Sequence, residues 1–155
     1  MLHPEKDRTR FHLIYATRNP RGVKVFKTTE RKSVHVMEEA RGEARKRRRE
    51  ERTGQGESYA GKETHDPSYI NGLRQRYNGQ AKTRVLQMLK KNKVVPYDIM
   101  WIETMAAPLT WENDLKSWLF EWRKEGIPEF QRMNPNQRVP RFGMGNRVAW
   151  KGLSR

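Results

Sequence analysis

The stretch TWENDLKSWLFEWRKEG, residues 110–126, decides the fold that we predict for this chain. Four apolar side chains in it recur at i, i+3, i+4 and i+7, a spacing that puts them on one face of a helix: Leu115, Trp118, Leu119 and Trp122. Thr110 is a candidate N-cap, with Asn113 at the capping-box position, and Gly126 suits a left-handed stop. The pattern therefore predicts an amphipathic helix over residues 110–125.

Shorter elements flank this helix. Upstream, the sequence from Asn78 leads into an apolar cluster at helical spacing, followed by a short β-prone piece, Val94-Val95. The cluster contains Val85, Leu86, Met88 and Leu89. Asp98 can then cap a helix that ends before Pro108. The apolar residues of that helix are Ile99, Ile102, Met105 and Ala106.

Downstream, residues 127–133 read as a strand, 134–136 as a turn and 147–150 as a returning strand. The order helix, strand, helix, helix, hairpin is that of a winged helix, the helix-turn-helix variant whose hairpin forms a wing. We therefore expect a mostly α chain with a small β component, an α+β fold, whose C-terminal winged helix-turn-helix follows an N-terminal strand and a long basic helix. Trp150 is expected in the core, because side chains alternate between the two faces of a strand and Trp150 shares its face with Val148.

The N-terminal part of the chain has a different character. Residues 11–17 predict a strand and residues 19–22 a turn, after which residues 23–32 fit either a second strand or a helix. A basic helix is predicted from Ser33 to Arg52, with an apolar stripe of Val34, Met37 and Ala44 that is too thin to form a core. The predicted organisation is a docking segment (1–32), a basic helix (33–52), a flexible linker (53–68) and a winged-helix domain (69–155).

Composition points to a polyanionic partner. The 155 residues carry a formal net charge of +15, with 34% apolar residues and a pI near 10.5. Nucleic acid is the expected partner, because Lys and Arg contacts to phosphate release counterions. DNA is favoured over RNA, although charge alone does not distinguish them, and a solvated basic surface is the alternative. No run of about 18 apolar residues or secretory signal is present, so we expect no membrane partner and a cytoplasmic protein, with a nucleoid or nuclear location also open.

Chemical catalysis finds no support in the sequence. The chain has no cysteine, its four histidines are widely separated, and no Gly-rich phosphate loop follows a strand. We expect a protein that is not an enzyme and that uses no cofactor or metal.

Two basic regions are the candidate nucleic-acid contacts. After Glu129 the sequence contains no acidic residue, which makes the hairpin a one-sign electrostatic surface, with Phe142 as a stacking or wedge group. The predicted contacts there and on the preceding helix are Lys116, Arg123, Arg132, Arg138, Arg141, Phe142, Arg147 and Lys151. A basic arm adds Arg45, Lys46, Arg47, Arg48 and Arg49, unless this run is only a solvated face. We expect contacts mainly with phosphate.

A family resemblance covers residues 11–27, FHLIYATRNPRGVKVFK. This stretch resembles the last strand and turn of the three-Cys-motif partner family, in which a similar ATxxPxG segment precedes a small winged-helix-like region. Members carry a methyltransferase-like domain before it, to which none of the matching residues belongs, so the resemblance implies no catalytic residue. It implies a tail-like module or split subunit whose strand extends the sheet of a larger protein partner. The docking residues would be Phe11, Leu13, Ile14 and Tyr15.

Overall fold

Helices dominate the computed structural model, which describes residues 15–53 and 68–152. The elements are α1 (Pro20–Thr53), α2 (Ser68–Asn92), β1 (Val94–Pro96), α3 (Tyr97–Ala106), α4 (Glu112–Lys124), β2 (Pro128–Gln131) and β3 (Arg147–Trp150). The predicted α+β class is confirmed at this level. The chain divides into two units, residues 1–72 and 73–155, with the division inside α2.

In the first unit, α1 begins at Pro20, so the predicted turn at residues 19–22 and helix start at Ser33 are wrong. The Asn19 side chain accepts a hydrogen bond from the Arg21 amide (2.9 Å), and proline is well suited to the first helical position, where no amide hydrogen is needed. Asn-Pro is thus a helix start here. Residues 23–32, which fitted a strand or a helix, are helical.

The strand predicted over residues 11–17 is not formed at residues 15–17, and its other residues lie outside those described. The Tyr15 ring instead stacks on Phe26, with centroids 4.6 Å apart. Gly22 permits this approach, because a Cβ there would lie 2.8 Å from the Tyr15 hydroxyl. The linker predicted over residues 53–68 also lies, apart from its two ends, outside the described residues.

One face of α1 is shielded from solvent. Val34, Met37 and Ala44 are half-buried along it, as the thin stripe predicts. Two cations are buried there as well: Lys27 pairs with Glu30 (3.0 Å) and Arg41 with Glu38 (3.1 Å). The guanidinium of Arg41 also lies 5.5 Å from the ring centroid of Tyr69. This face therefore combines apolar contact with paired charges.

Helix α2 begins at Ser68 in the first unit, ten residues before the predicted Asn78, and continues into the second. Its buried residues in the second unit are Ala81, Val85 and Leu89, at i, i+4 and i+8, while Leu86 and Met88 are half-buried. The helix ends at Asn92, whose side chain donates to the Met88 carbonyl (3.0 Å).

Helix α3 presents a different face to the core from the one we predicted. Its buried residues are Tyr97, Met100, Trp101, Thr104 and Met105, whereas Ile99 and Ile102 are exposed at 47% and 50%. Since Tyr97 opens the helix, Asp98 lies inside its first turn and is not the N-cap. The helix is apolar on several sides, so its sequence does not determine which side is buried.

Helix α4 packs as predicted, through Leu115, Trp118, Leu119 and Trp122. Its N-cap is Trp111, one residue after the predicted Thr110, and the Asp114 carboxylate accepts a hydrogen bond from the Trp111 amide (2.8 Å). The Thr110 hydroxyl donates to the Pro108 carbonyl (3.1 Å). Gly126, at φ 74°, ends the helix in the left-handed conformation that the sequence indicated.

The three strands form an antiparallel sheet in the order β1-β3-β2. Val148 in the central strand β3 is fully buried and lies opposite Val95 of β1 and Phe130 of β2. Trp150 is only half-buried, which corrects its predicted place in the core. Strands β2 and β3 bracket a loop of residues 132–146, called the β2–β3 loop below.

Candidate nucleic-acid interface

The β2–β3 loop is organised by a single buried side chain, Asn146, which is 2% exposed. Its Oδ1 accepts hydrogen bonds from the Arg141 amide (2.8 Å) and from Gln137 Nε2 (2.6 Å). Its Nδ2 donates to the Arg132 carbonyl (2.7 Å). One amide group thus joins three points spread along the loop, and it satisfies backbone groups that have no strand partner.

The loop is also fastened to α3. The Gly143 amide donates to Asp98 Oδ1 (2.9 Å), and Phe142 packs against the buried Trp101, with ring centroids 4.4 Å apart. Phe142, predicted to stack on or wedge into nucleic acid, is half-buried in this contact. Its ring thus contributes to the contact between the loop and α3.

Three arginines of the loop and the first residue of β3 point into solvent. Arg132, Arg138, Arg141 and Arg147 are all exposed. Within residues 15–53 and 68–152, none of these four guanidinium groups has a carboxylate partner. Arg132 adopts φ 56°, so the backbone turns sharply where the loop leaves β2. Together the four guanidinium groups can donate to several phosphate oxygens at once.

Arg123 links α4 to this loop. Its Nη1 donates to the Arg138 carbonyl (3.4 Å), and its guanidinium lies 5.1 Å from the ring centroid of Phe130. Arg123 and Lys151 both line an open groove of about 380 Å³ beside β2. The structure thus brings together two of the predicted contacts that are distant in sequence.

Two predicted cations are already paired. Lys116 is half-buried and forms an ion pair with Glu112 (2.5 Å), and Lys151 pairs with Glu129 (3.3 Å). Both pairs are at the surface, where such interactions are weak, so either lysine can exchange its carboxylate for a phosphate at small cost.

Helix α2 neutralises the carboxylates on one flank of α4. Arg74 pairs with Asp114 (2.6 Å) and Lys82 with Glu121 (2.7 Å), and Arg74 also lies over the Trp111 ring, 4.6 Å from its centroid. These acids would repel phosphate if they were unpaired. Neither pair was predicted from the sequence. The signal for them is that Arg74 and Lys82 on α2 are about two helical turns apart, as are Asp114 and Glu121 on α4.

The basic arm lies in the other unit. Arg45, Lys46, Arg47, Arg48 and Arg49 are exposed on α1. Arg41, four residues before this run, is buried against Glu38 and Tyr69. Of the predicted docking residues, Phe11, Leu13 and Ile14 lie outside the described residues, and Tyr15 is held by Phe26.

One titratable group of the described residues, the phenol of Tyr97, has a displaced pKa. Burial raises the pKa of the Tyr97 phenol, and the nearby carboxylates of Glu112 and Asp98 raise it further, so this group stays neutral. In the part of the chain that the structure describes, no three His, Asp or Glu side chains are grouped to hold a metal ion. None of the described helices has the length and apolarity needed to cross a bilayer.

Comparisons of the chain with protein-family models, with curated proteins and with solved structures found no match. The resemblance of residues 11–27 to the three-Cys-motif partner family stays a prediction. What the chain does must therefore be argued from its own geometry and charge.

Proposed function

We propose that residues 73–152 form a winged helix that binds the phosphate backbone of duplex nucleic acid, DNA in preference to RNA, within a larger nucleoprotein complex. The observation that carries the proposal is a group of four exposed arginines, three on the β2–β3 loop and Arg147 at the start of β3, that have no carboxylate partner among the described residues. The element order, with β3 between β1 and β2, supports a winged helix in which α3 and α4 are the helix-turn-helix and the β2–β3 loop is the wing.

Charge distribution supports the same function. Residues 73–155 contain sixteen Lys and Arg residues against seven Asp and Glu residues, and three of those acids, Glu103, Asp114 and Glu121, are paired with cations of α2. Arg138 and Arg141 would contact backbone phosphates on one side of a groove of the duplex. Arg123 and Lys116 would contact phosphates from α4. The exposed run Arg45–Arg49 would add a second, less specific contact. Binding of this kind positions a protein on a duplex.

The test is fluorescence anisotropy of the full chain with duplex DNA, single-stranded DNA and duplex RNA across a salt series. We expect the tightest binding to duplex DNA and a steep fall of affinity with salt. Reversing Arg138 and Arg141 to Glu should reduce the salt slope by about two, one for each lost phosphate contact.

The matched control reverses Lys90 and Lys91, two exposed lysines at the end of α2, with the same change in charge. It should bind almost as the wild type does. An unchanged slope in the Arg138 and Arg141 variant, or an equal loss in both variants, would contradict the assignment of the loop.

A second candidate function, a docking subunit of a larger assembly without nucleic-acid contacts, is favoured by the exposed pair Ile99 and Ile102, one turn apart on α3. In that case the full chain should self-associate in light scattering and bind none of the three nucleic acids. Changing both isoleucines to Lys should then restore a monomer.

A further inference from the structure

The outer face of α4 carries a row of four exposed side chains. They stand at i, i+4, i+7 and i+11 and are Asn113, Ser117, Phe120 and Lys124. At 3.6 residues per turn, these positions lie within about 60° of one another around the helix axis. The row is opposite the buried face of Leu115 and Trp122, so it is the part of α4 that a partner would meet first. We call it the outer row.

No carboxylate belongs to the outer row. Asp114 and Glu121 lie on the flank that faces α2, where Arg74 and Lys82 pair with them. The opposite flank carries Arg123 and the ion pair of Lys116 with Glu112. A duplex that approached the outer row would therefore meet polar and apolar groups flanked on both sides by paired acids, and on one side also by the cation of Arg123.

The side chains of the outer row match the chemistry of base edges. Asn113, in the first turn of α4, can donate to N7 and accept from N6–H of adenine, or the reverse with its amide rotated, in the bidentate pairing known for Asn and adenine. The Phe120 ring, 53% exposed, offers an apolar surface for the thymine methyl group. Lys124 lies with its ammonium 4.6 Å from the Phe120 ring centroid, which restricts both side chains.

We infer that the outer row reads base edges in the major groove of duplex DNA, and that it selects adenine opposite Asn113 and a neighbouring thymine opposite Phe120. This inference rests on the proposed function, to which it adds sequence selectivity. An α-helix fits the major groove of B-form DNA, and the N-terminal residues of a recognition helix are those that reach the bases.

The experiment is a selection from duplex DNA with a randomised core, carried out with the full chain and read by sequencing. We expect an enriched motif that contains adjacent A·T pairs. Asn113→Ala should lower the preference for adenine at one position about tenfold, and Phe120→Ala should weaken the thymine preference by a smaller factor. Neither change should alter the salt slope, because neither side chain is charged.

Gln87→Ala, which removes an exposed amide from α2, is the matched control and should leave the motif intact. Circular dichroism of each variant checks that it folds. Salt-sensitive binding without an enriched motif would overturn this inference and leave the proposed function standing. A motif that survives both α4 changes, or a preference for duplex RNA, whose major groove admits no helix, would also overturn it. Absence of any binding would overturn both.

Discussion

The β2–β3 loop and the basic run of α1 both carry several cations, but they differ in backbone structure and in the acidic residues beside those cations. In the loop, arginines are held by a buried amide and a contact with α3, and no acidic residue occurs between Glu129 and the C terminus. In α1, the run Arg45–Arg49 shares its helix with Glu43, Glu50 and Glu51. Carboxylates beside a cation compete with phosphate for it, so we expect the same number of charges to give tighter phosphate contacts in the loop than in α1.

The largest effect is expected from Asn146→Ala. The change leaves the Arg141 amide and the Arg132 carbonyl without their partner in a partly buried setting, and Gln137 Nε2 keeps only its bond to the Val139 carbonyl. We expect the free energy of unfolding to fall by about 2–4 kcal/mol, measured by urea denaturation. Nucleic-acid affinity should fall as well, since the loop arginines lose their fixed positions.

Asn136→Ala, at an exposed turn position in the same loop, is the control and should change stability by less than about 0.5 kcal/mol. Equal stability of the two variants would show that the loop is not organised through Asn146, and the contrast with α1 would then disappear.

A direct comparison of the two regions gives the next largest effect. Reversal of Arg47 and Arg48 to Glu removes as much charge from α1 as reversal of Arg138 and Arg141 removes from the loop. We expect the α1 variant to bind duplex DNA about tenfold more tightly than the loop variant, with a salt slope reduced by less than one. Anisotropy titrations at several salt concentrations measure both quantities. A larger loss in the α1 variant would reverse the ranking of the two regions.

The smallest effect concerns the acids of α4. Arg74→Ala leaves Asp114 without its partner, and that carboxylate is 15% exposed. Because Arg74 itself is about one-third exposed, we expect a loss of at most about 1 kcal/mol in stability, together with weaker DNA binding as the uncompensated charge repels phosphate. Arg76→Ala, an exposed arginine two positions along α2, serves as the control. Affinity that falls equally in both variants would point to a general effect of charge.

The sequence predicts those elements whose pattern is complete within a short stretch of residues. The buried face of α4 and the two strands of the hairpin follow from periodicity and turn residues within about 40 positions, so they were predicted. The start of α1 was missed because Asn-Pro is compatible with both a turn and a helix N-terminus. The buried side of α3 was missed because that helix is apolar around much of its circumference.

The candidate interface was predictable as a list of cations but not as an arrangement. Nothing near Asn146 in the sequence marks it as the residue that orders the loop, since its partners lie 5 to 14 positions away. The pairs of Arg74 with Asp114 and Lys82 with Glu121 join residues 40 and 39 positions apart. They depend on the packing of α2 against α4, which only the folded chain defines.

The attachment of the β2–β3 loop also bears on proteolysis. A solvent-facing segment with Arg132, Arg138 and Arg141 offers several trypsin sites, and cleavage requires a protease to draw a stretch of backbone out into an extended form. Asn146 and the contact between Phe142 and Trp101 oppose that extension. Trypsin can therefore cleave the loop only after the loop has opened locally. A chain with this attachment can expose many arginines on a hairpin and still resist digestion there.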